Sequence, residues 1–315
     1  MRKVAFIHNP ASGISSARHG AAIQEALAVL RNGGVHAQAL ETSGPGTAVA
    51  LARQAVRDGF DSVVACGGDG TVNEVLQALV GTDVALGVLP LGTANALAAN
   101  LGLRGSPAGI AGLLAAAPRV RVPVGRICSN DAAAVPTARY FTVAAGIGAD
   151  ALLLSRMDPA VKRRLGYLLY LVEAFHVWAT HSFPLFEASF TNGSGVPHVE
   201  QISQLLAIRV RSFGGVLRDF APGATLHSHS LHLVAFNTRS RLDYFRFLMA
   251  VLFGRHTFSR HVHLIRADSV SCRSSNGFHH RISAEADGEV LGQLPVRIEI
   301  IPDAVTLLIP PTAQP

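Results

Sequence analysis

The chain has 315 residues, 49% hydrophobic and only 15% charged, which is enough apolar material for two domains with cores of their own. Its net charge of +6 carries only two lysines, Lys3 and Lys162, among 27 cationic residues, a bias read first as base composition and second as attraction to anionic lipid or polyphosphate. Three scattered cysteines (Cys66, Cys128, Cys272) exclude a disulfide framework and a cysteine-built zinc site, and no apolar run reaches the ~20 residues that span a bilayer. Residues 1–10 read as a first strand and a turn, not as a signal peptide. A cytoplasmic protein is expected, peripheral to the inner face of the membrane at most, with nucleic acid an unfavoured partner.

Strand and helix alternate from residue 1 to about 121. Strands are expected at Val4–His8, His36–Leu40, Ser62–Cys66 and Val84–Leu89, and helices at Ala17–Leu30, Thr47–Arg57, Val72–Val80 and Asn95–Leu101. Four such units predict an α/β domain with an open parallel sheet, which binds ligands at the carboxyl ends of its strands. Near Arg119–Pro123 the texture changes. Beyond it, short β-like runs at Tyr140–Ala144, Leu185–Thr191, Leu205–Val210, Leu231–Phe236, His261–Arg266, Val296–Ile301 and Val305–Ile309 predict a mostly antiparallel β domain, interrupted by helices at Ala160–His181 and Leu242–Phe253. The expected division is 1–121 and 122–315.

Three turns of unusual chemistry sit at strand ends in the first domain. Asn9-Pro10-Ala11-Ser12-Gly13 is made of ordinary turn formers, and also suits a phosphate loop. Gly67-Gly68-Asp69-Gly70-Thr71-Val72-Asn73-Glu74 is the strongest signal. Its glycines let backbone N–H groups approach an anion at a helix start, while Asp69, which repels phosphate, needs a task such as holding magnesium or handling a proton. Glu74 also reads as complementing a helix dipole. The run has neither the lysine and spacing of a Walker loop nor the Gly-x-Gly-x-x-Gly spacing of dinucleotide folds. Pro90-Leu91-Gly92-Thr93-Ala94-Asn95 repeats the pattern one strand later, with Asn95 a candidate cap. In the second domain Asp287-Gly288 reads as a hairpin turn, and Glu289 stands out because it leads into an apolar strand. His227, His229, His232, His279 and His280 read as loop histidines, and Phe213-Gly214-Gly215 as a turn. Lys162-Arg163-Arg164 beside Leu165 to Tyr170 fits either a packed helix or a membrane-facing one.

The order Asn-Pro-x-Ser-Gly, Gly-Gly-Asp-Gly-Thr-x-Asn-Glu, Pro-x-Gly-Thr-x-Asn and Asp-Gly-Glu resembles the diacylglycerol kinase catalytic-domain family, which includes bacterial lipid kinases and the sphingosine and ceramide kinases. The resemblance covers essentially the whole chain. It implies an N-terminal α/β domain of the NAD kinase and phosphofructokinase type, a β-rich lipid-substrate domain, and transfer of phosphate from ATP, with Mg2+, to a lipid hydroxyl in a cleft between them. It also implies a nucleotide-contacting set of Asn9, Pro10, Ala11, Ser12, Gly13, Thr42, Gly67, Gly68, Asp69, Gly70, Thr71, Val72, Asn73, Glu74, Gly92 and Thr93. Asp69 matches the acid at the magnesium–phosphate centre, Glu289 the usual proton acceptor, and Asp150 an acid near the lipid head group. Two departures stand out. Ala96 replaces a frequent aspartate, so that Asn95-Ala96-Leu97-Ala98 looks more like the sphingosine-kinase form. Leu226-His227-Ser228-His229-Ser230 replaces the Asp-Asp-Gly that holds a structural magnesium in some bacterial members. Peripheral membrane contact is expected, and a homodimer is left open. A soluble-metabolite kinase of the NAD-kinase type and a non-catalytic lipid- or nucleotide-binding protein are the alternative readings.

Overall fold

The computed structural model describes residues 1–10, 16–129, 137–149, 151–152, 176–192, 197–212, 223–252, 260–275 and 282–311. Two compact units divide the chain: Met1–Val124 together with Pro302–Pro315, and Gly125–Ile301.

In the first unit, β1 (Lys3–His8), β2 (His36–Glu41), β3 (Ser62–Gly67) and β4 (Ala85–Pro90) pair in parallel in the order β2-β1-β3-β4. Every residue of β3 is buried, as a parallel strand covered on both faces must be. Helices α1 (Ser16–Asn32), α2 (Thr47–Arg57), α3 (Asp69–Leu79), α4 (Ala96–Asn100) and α5 (Pro107–Ala116) complete this unit. Within it α1 packs on α5 and α2 on α3. Ile23, Ala26, Leu27 and Leu30 turn one face of α1 into the core, and Val72, Val75, Leu76 and Leu79 do the same for α3, at the spacing of a single helical stripe. Helix α5 carries no marked apolar periodicity, but Ser106 caps it by accepting from the Gly109 N–H, and Pro107 pre-sets its first turn.

The predicted elements recur with shifted edges. Helix α3 begins at Asp69 instead of Val72, because Gly68 takes an extended N-cap conformation and the glycine turn becomes the first helical turn. The two runs at 296–301 and 305–309 are one strand, β16 (Val296–Leu308), whose last residues pair in parallel with β4. Strand β5 (Arg119–Ser129) runs straight through the expected change of texture.

The second unit is a sandwich of antiparallel pairs. One layer contains β6 (Thr137–Phe141) against β5, and β8 (Phe186–Thr191) between β9 (His198–Ile202) and β13 (Ser269–Ser274), with β13 pairing the start of β16. The other layer has the order β12 (Val262–Ala267), β11 (Leu231–Phe236), β10 (Gln204–Ile208), β7 (Ala144–Ile147), β14 (Ser283–Ala286), β15 (Glu289–Gln293). Phe141, Phe186, Phe190, Val270 and Ile298 from the first layer meet Ile147, Leu205, Leu231 and Leu233 from the second in one apolar cluster. The expected run at 140–144 is split, because Thr142 and Val143 form the bend between β6 and β7. The expected helix at 160–181 lies outside the described residues up to 175, and residues 176–180 are helical. The second expected helix is α6 (Arg241–Leu252).

Gly125 shows how tightly this core is filled. It pairs with Phe141, and a methyl group on Gly125 would lie 2.1 Å from the Phe141 ring. Gly125→Ala is expected to destabilise the protein by about 1–3 kcal/mol, read as a lower urea midpoint, with part of the loss recovered in a Gly125→Ala/Phe141→Leu variant. An unchanged midpoint would contradict this packing.

Candidate active site

The parallel register sets the site. His8 pairs with Glu41 on one side and Cys66 on the other, and Gly67 pairs with Pro90. The segments that follow these strands therefore emerge in a row from one edge of the sheet: Asn9-Pro10, Thr42, Gly68-Asp69 and Leu91-Gly92. Thr42 is tied in by its N–H, which donates to the His8 carbonyl. Among the described residues its buried Oγ1 has no hydrogen-bond partner, an orphan donor at this edge of the sheet. Ala11, Ser12 and Gly13 lie outside the described residues.

Two glycine turns are packed backbone to backbone. A methyl group on Gly92 would come within 2.4 Å of the Gly68 Cα and 3.0 Å of its nitrogen. The Gly67 carbonyl accepts from the Leu91 N–H, and a methyl group on Gly67 would meet the Thr71 Oγ1. Asn95 shapes the second turn. It adopts the left-handed conformation (φ 50°) that asparagine tolerates, while its side chain accepts from the Gly92 N–H and donates to the Gly92 carbonyl. With Asn95 so engaged, the start of α4 is capped from elsewhere: Asp69 Oδ1 accepts from the Ala96 N–H at 2.8 Å. One carboxylate thus joins the first turn of α3 to the first turn of α4. Burial pushes the Asp69 carboxyl above the usual carboxylate range, while the amides of Ala96, Asn95 and Leu97 pull the other way.

Gly70, Gly92 and Thr93 are exposed on this surface. The first-turn N–H groups of α3 have no intrahelical acceptor, so the surface can take an anion. Val72 and Asn73 point inward. Val72 belongs to the core, and Asn73 is buried with its Oδ1 accepting from Gln77. Glu74 works on another helix: its carboxylate accepts from the N–H groups of Gly46 and Ala48 and caps α2. The charge complements the dipole of α2, not of its own helix.

In the second unit Asp287 and Gly288 form the tight turn between β14 and β15, both with positive φ. The Asp287 carboxylate is saturated. Oδ1 accepts from the N–H groups of Val143 and Ala144, and Oδ2 from that of Thr142, each at 2.9 Å. It also faces Arg209, whose buried guanidinium donates to the carbonyls of Leu226 and Ser228. Burial pulls the Arg209 pKa down to about 10, and Asp287 opposes the shift. The segment at 226–228 is therefore held by a side-chain cation. Among the described residues no group of three or more His, Cys, Asp or Glu could hold a metal. Glu289, next in the chain, is half-buried and pairs with Arg139 at 3.0 Å. Asp150, Phe213–Gly215, His279, His280 and 162–170 lie outside the described residues. No helix among the described residues is long and apolar enough to cross a membrane. Sequence reasoning missed Arg209 and Arg139. No local signal marks either one, because Leu226 lies 17 positions from Arg209 and Glu289 lies 150 from Arg139.

The fold resembles those of two solved proteins. It is similar over 98% of the chain to yeast NADH kinase complexed with NADH (TM-score 0.53, 10% identity, 83% of that chain) and over 99% to a diacylglycerol kinase crystal structure from Bacillus anthracis (TM-score 0.69, 16% identity, 98% of that chain). Residues 3–127 match the diacylglycerol kinase catalytic domain, and residues 142–309 the YegS C-terminal NAD kinase beta sandwich-like domain. The chain belongs to the lipid kinase family defined by these two domains in succession. It is 29% identical to a diacylglycerol kinase of Mycobacterium tuberculosis (98% of this chain, 95% of the relative) and 27% identical to one of Bacillus subtilis (94% and 92%). It is also 29% identical to the Klebsiella pneumoniae protein named "Probable lipid kinase YegS-like" (92% and 91%).

Two outcomes follow from this geometry. Because burial raises the Asp69 pKa, its ionised form costs folding free energy at neutral pH, and the cost vanishes below the ordinary carboxylate range, where folded and unfolded chains are both protonated. Asp69→Asn, which keeps an acceptor for Ala96, is expected to raise Tm at pH 7.5 and to leave it unchanged near the acid limit of folding; a lower Tm at pH 7.5 would contradict this. Gly92→Ala forces the two turns apart. It is expected to weaken ATP binding at least tenfold by calorimetry, a loss of about 1.4 kcal/mol.

Proposed function

We propose that this kinase transfers the γ-phosphoryl group of ATP, with Mg2+, to the hydroxyl of a lipid, diacylglycerol or one of sphingoid or ceramide type, in phospholipid or sphingolipid metabolism. The observation that carries the reading is the pair of interlocked glycine turns with Asp69 on their seam. Together they offer N–H donors and one half-buried carboxylate at the strand ends where a triphosphate would lie. The names of the relatives support a lipid acceptor.

The first-turn amides of α3, the Gly92-Thr93 turn and the orphan Thr42 hydroxyl would hold the nucleotide, with Asn9 to Gly13 beside them. Magnesium, when bound with ATP, would neutralise charge on the phosphoryl oxygens, and Asp69 is the carboxylate suited to hold it. Phosphoryl transfer passes through a loose transition state, so the protein contributes chiefly position and charge. Glu289 would take the proton of the lipid hydroxyl as the new O–P bond forms and the bond from the γ-phosphorus to ADP breaks. Its ion pair with Arg139 orients that carboxylate. Asp150 would contact the lipid head group.

Glu289→Gln is expected to lower kcat by roughly 10²–10⁴ with ATP binding preserved. The check is radiolabel transfer from γ-labelled ATP to a total lipid extract, with the product identified by mass. An unchanged kcat would remove Glu289 from this role. Label entering NAD instead of lipid would favour the soluble-metabolite reading, to which the NADH kinase fold likeness lends support.

A further inference from the structure

The stretch from Asn237 to His261 contains five arginines (Arg239, Arg241, Arg246, Arg255, Arg260) and one acid, Asp243, in a chain whose whole net charge is +6. Helix α6 lies within it, and among its described side chains Tyr244 and Phe247 anchor it. Tyr244 is stacked between Phe183 (3.9 Å between ring centroids) and Phe236 (5.3 Å), and the buried Phe247 packs edge-on against Phe236. The side so held leaves Leu242 and Phe245, three positions apart, exposed by 53% and 45%. They are two of the five large apolar side chains most exposed among the described residues. Trp178 sits against Phe245 (6.0 Å), with its indole N–H donating to the Arg241 carbonyl. The only acid is already committed: Asp243 accepts from Thr238 and faces Arg246 and His261. Arg239, Arg241 and Arg260 are exposed and have no ion pair among the described residues.

An apolar and aromatic centre, an indole at its edge and a rim of unpaired guanidinium groups are the chemistry of a surface that seats itself in a phospholipid interface. We propose that α6 docks this protein on a bilayer of anionic phospholipid, with Leu242 and Phe245 entering the acyl boundary and Arg239, Arg241 and Arg260 meeting the phosphates. Anionic lipid supplies the charge that the arginines lack, which neither a neutral bilayer nor a second copy of this basic face would do. The inference deepens the lipid-kinase reading and rests on it only for the reason that the protein visits a membrane.

The test is co-sedimentation of the full chain with vesicles of phosphatidylglycerol and phosphatidylcholine, against phosphatidylcholine alone, at low and high salt. The wild type is expected to bind the anionic vesicles, and to release them in high salt. Arg239→Gln/Arg241→Gln is expected to weaken binding about thirtyfold. Leu242→Ser/Phe245→Ser should weaken it at low salt as well, with circular dichroism and Tm unchanged in both variants. Equal binding by the wild type and both folded variants, or binding indifferent to lipid charge, would overturn the proposal. So would a dimer in solution that Leu242→Ser/Phe245→Ser converts to monomer, since a second copy would then cover the face. A kinase assay separates the two readings. Both variants should phosphorylate a monomeric short-chain diacylglycerol at the wild-type rate and lose activity only on vesicle-embedded substrate. Vesicle binding that follows the expected pattern without phosphorylation of either substrate would sustain the docking surface and defeat the kinase assignment.

Discussion

Gly68 and Gly92 touch through their backbones, and the candidate site depends on that contact. No side chain fits between them: the nearest atom to a methyl group on Gly92 would be the Gly68 Cα, at 2.4 Å. The closeness lets one carboxylate, Asp69, leave α3 and cap α4, so that two helix starts share a single surface. A longer separation would let water cap each helix separately and would leave Asp69 solvated, with an ordinary pKa. The contact thus sets both the geometry of the anion surface and the electrostatic state of its acid. It also explains why Asn95 is left-handed, since the turn must curl back to bring Gly92 onto Gly68.

The second unit uses the same economy of polar groups with opposite sign. Asp287 is surrounded by three backbone N–H groups and a buried arginine, so its charge is spent on holding the bend at Thr142–Ala144 and the turn into β15. Glu289, the other carboxylate of the Asp-Gly-Glu motif, pairs with Arg139 instead. Arg209 ties the same region to the carbonyls of Leu226 and Ser228. A guanidinium on those carbonyls holds the loop at 226–228, where this chain has no carboxylate. Removing a buried cation of this kind is costly, because the carbonyls it serves would be left without a donor.

Much of the first unit was legible in the chain. Strands β1, β3 and β4 are apolar runs, α1 and α3 carry single apolar stripes, and the glycine–aspartate run falls between a buried strand and an amphipathic helix. The site motifs were legible for the same reason: they are contiguous, and their glycines serve backbone geometry that local sequence reveals. What local pattern does not encode is the partner of a polar side chain. Glu74 could be read as complementing its own helix, yet it caps α2, and Thr42 has no distinguishing neighbour in sequence. Helix α5 escaped notice because it is apolar nearly all round, and β9 and β15 because edge strands carry weak alternation.

The amino-acid order alone determined the alternation of strands and helices, the parallel sheet of the first unit, the β-rich second unit and the position of the glycine turns at strand ends, because each depends on periodicity or on glycine within a few positions. Tertiary structure alone decided that Gly68 meets Gly92, that Asp69 caps α4, that Arg209 serves the 226–228 loop, and that the last residues of β16 return to pair with β4. Those are contacts between segments 17 to more than 200 residues apart, fixed by which surfaces can be buried together, and no local pattern carries that information.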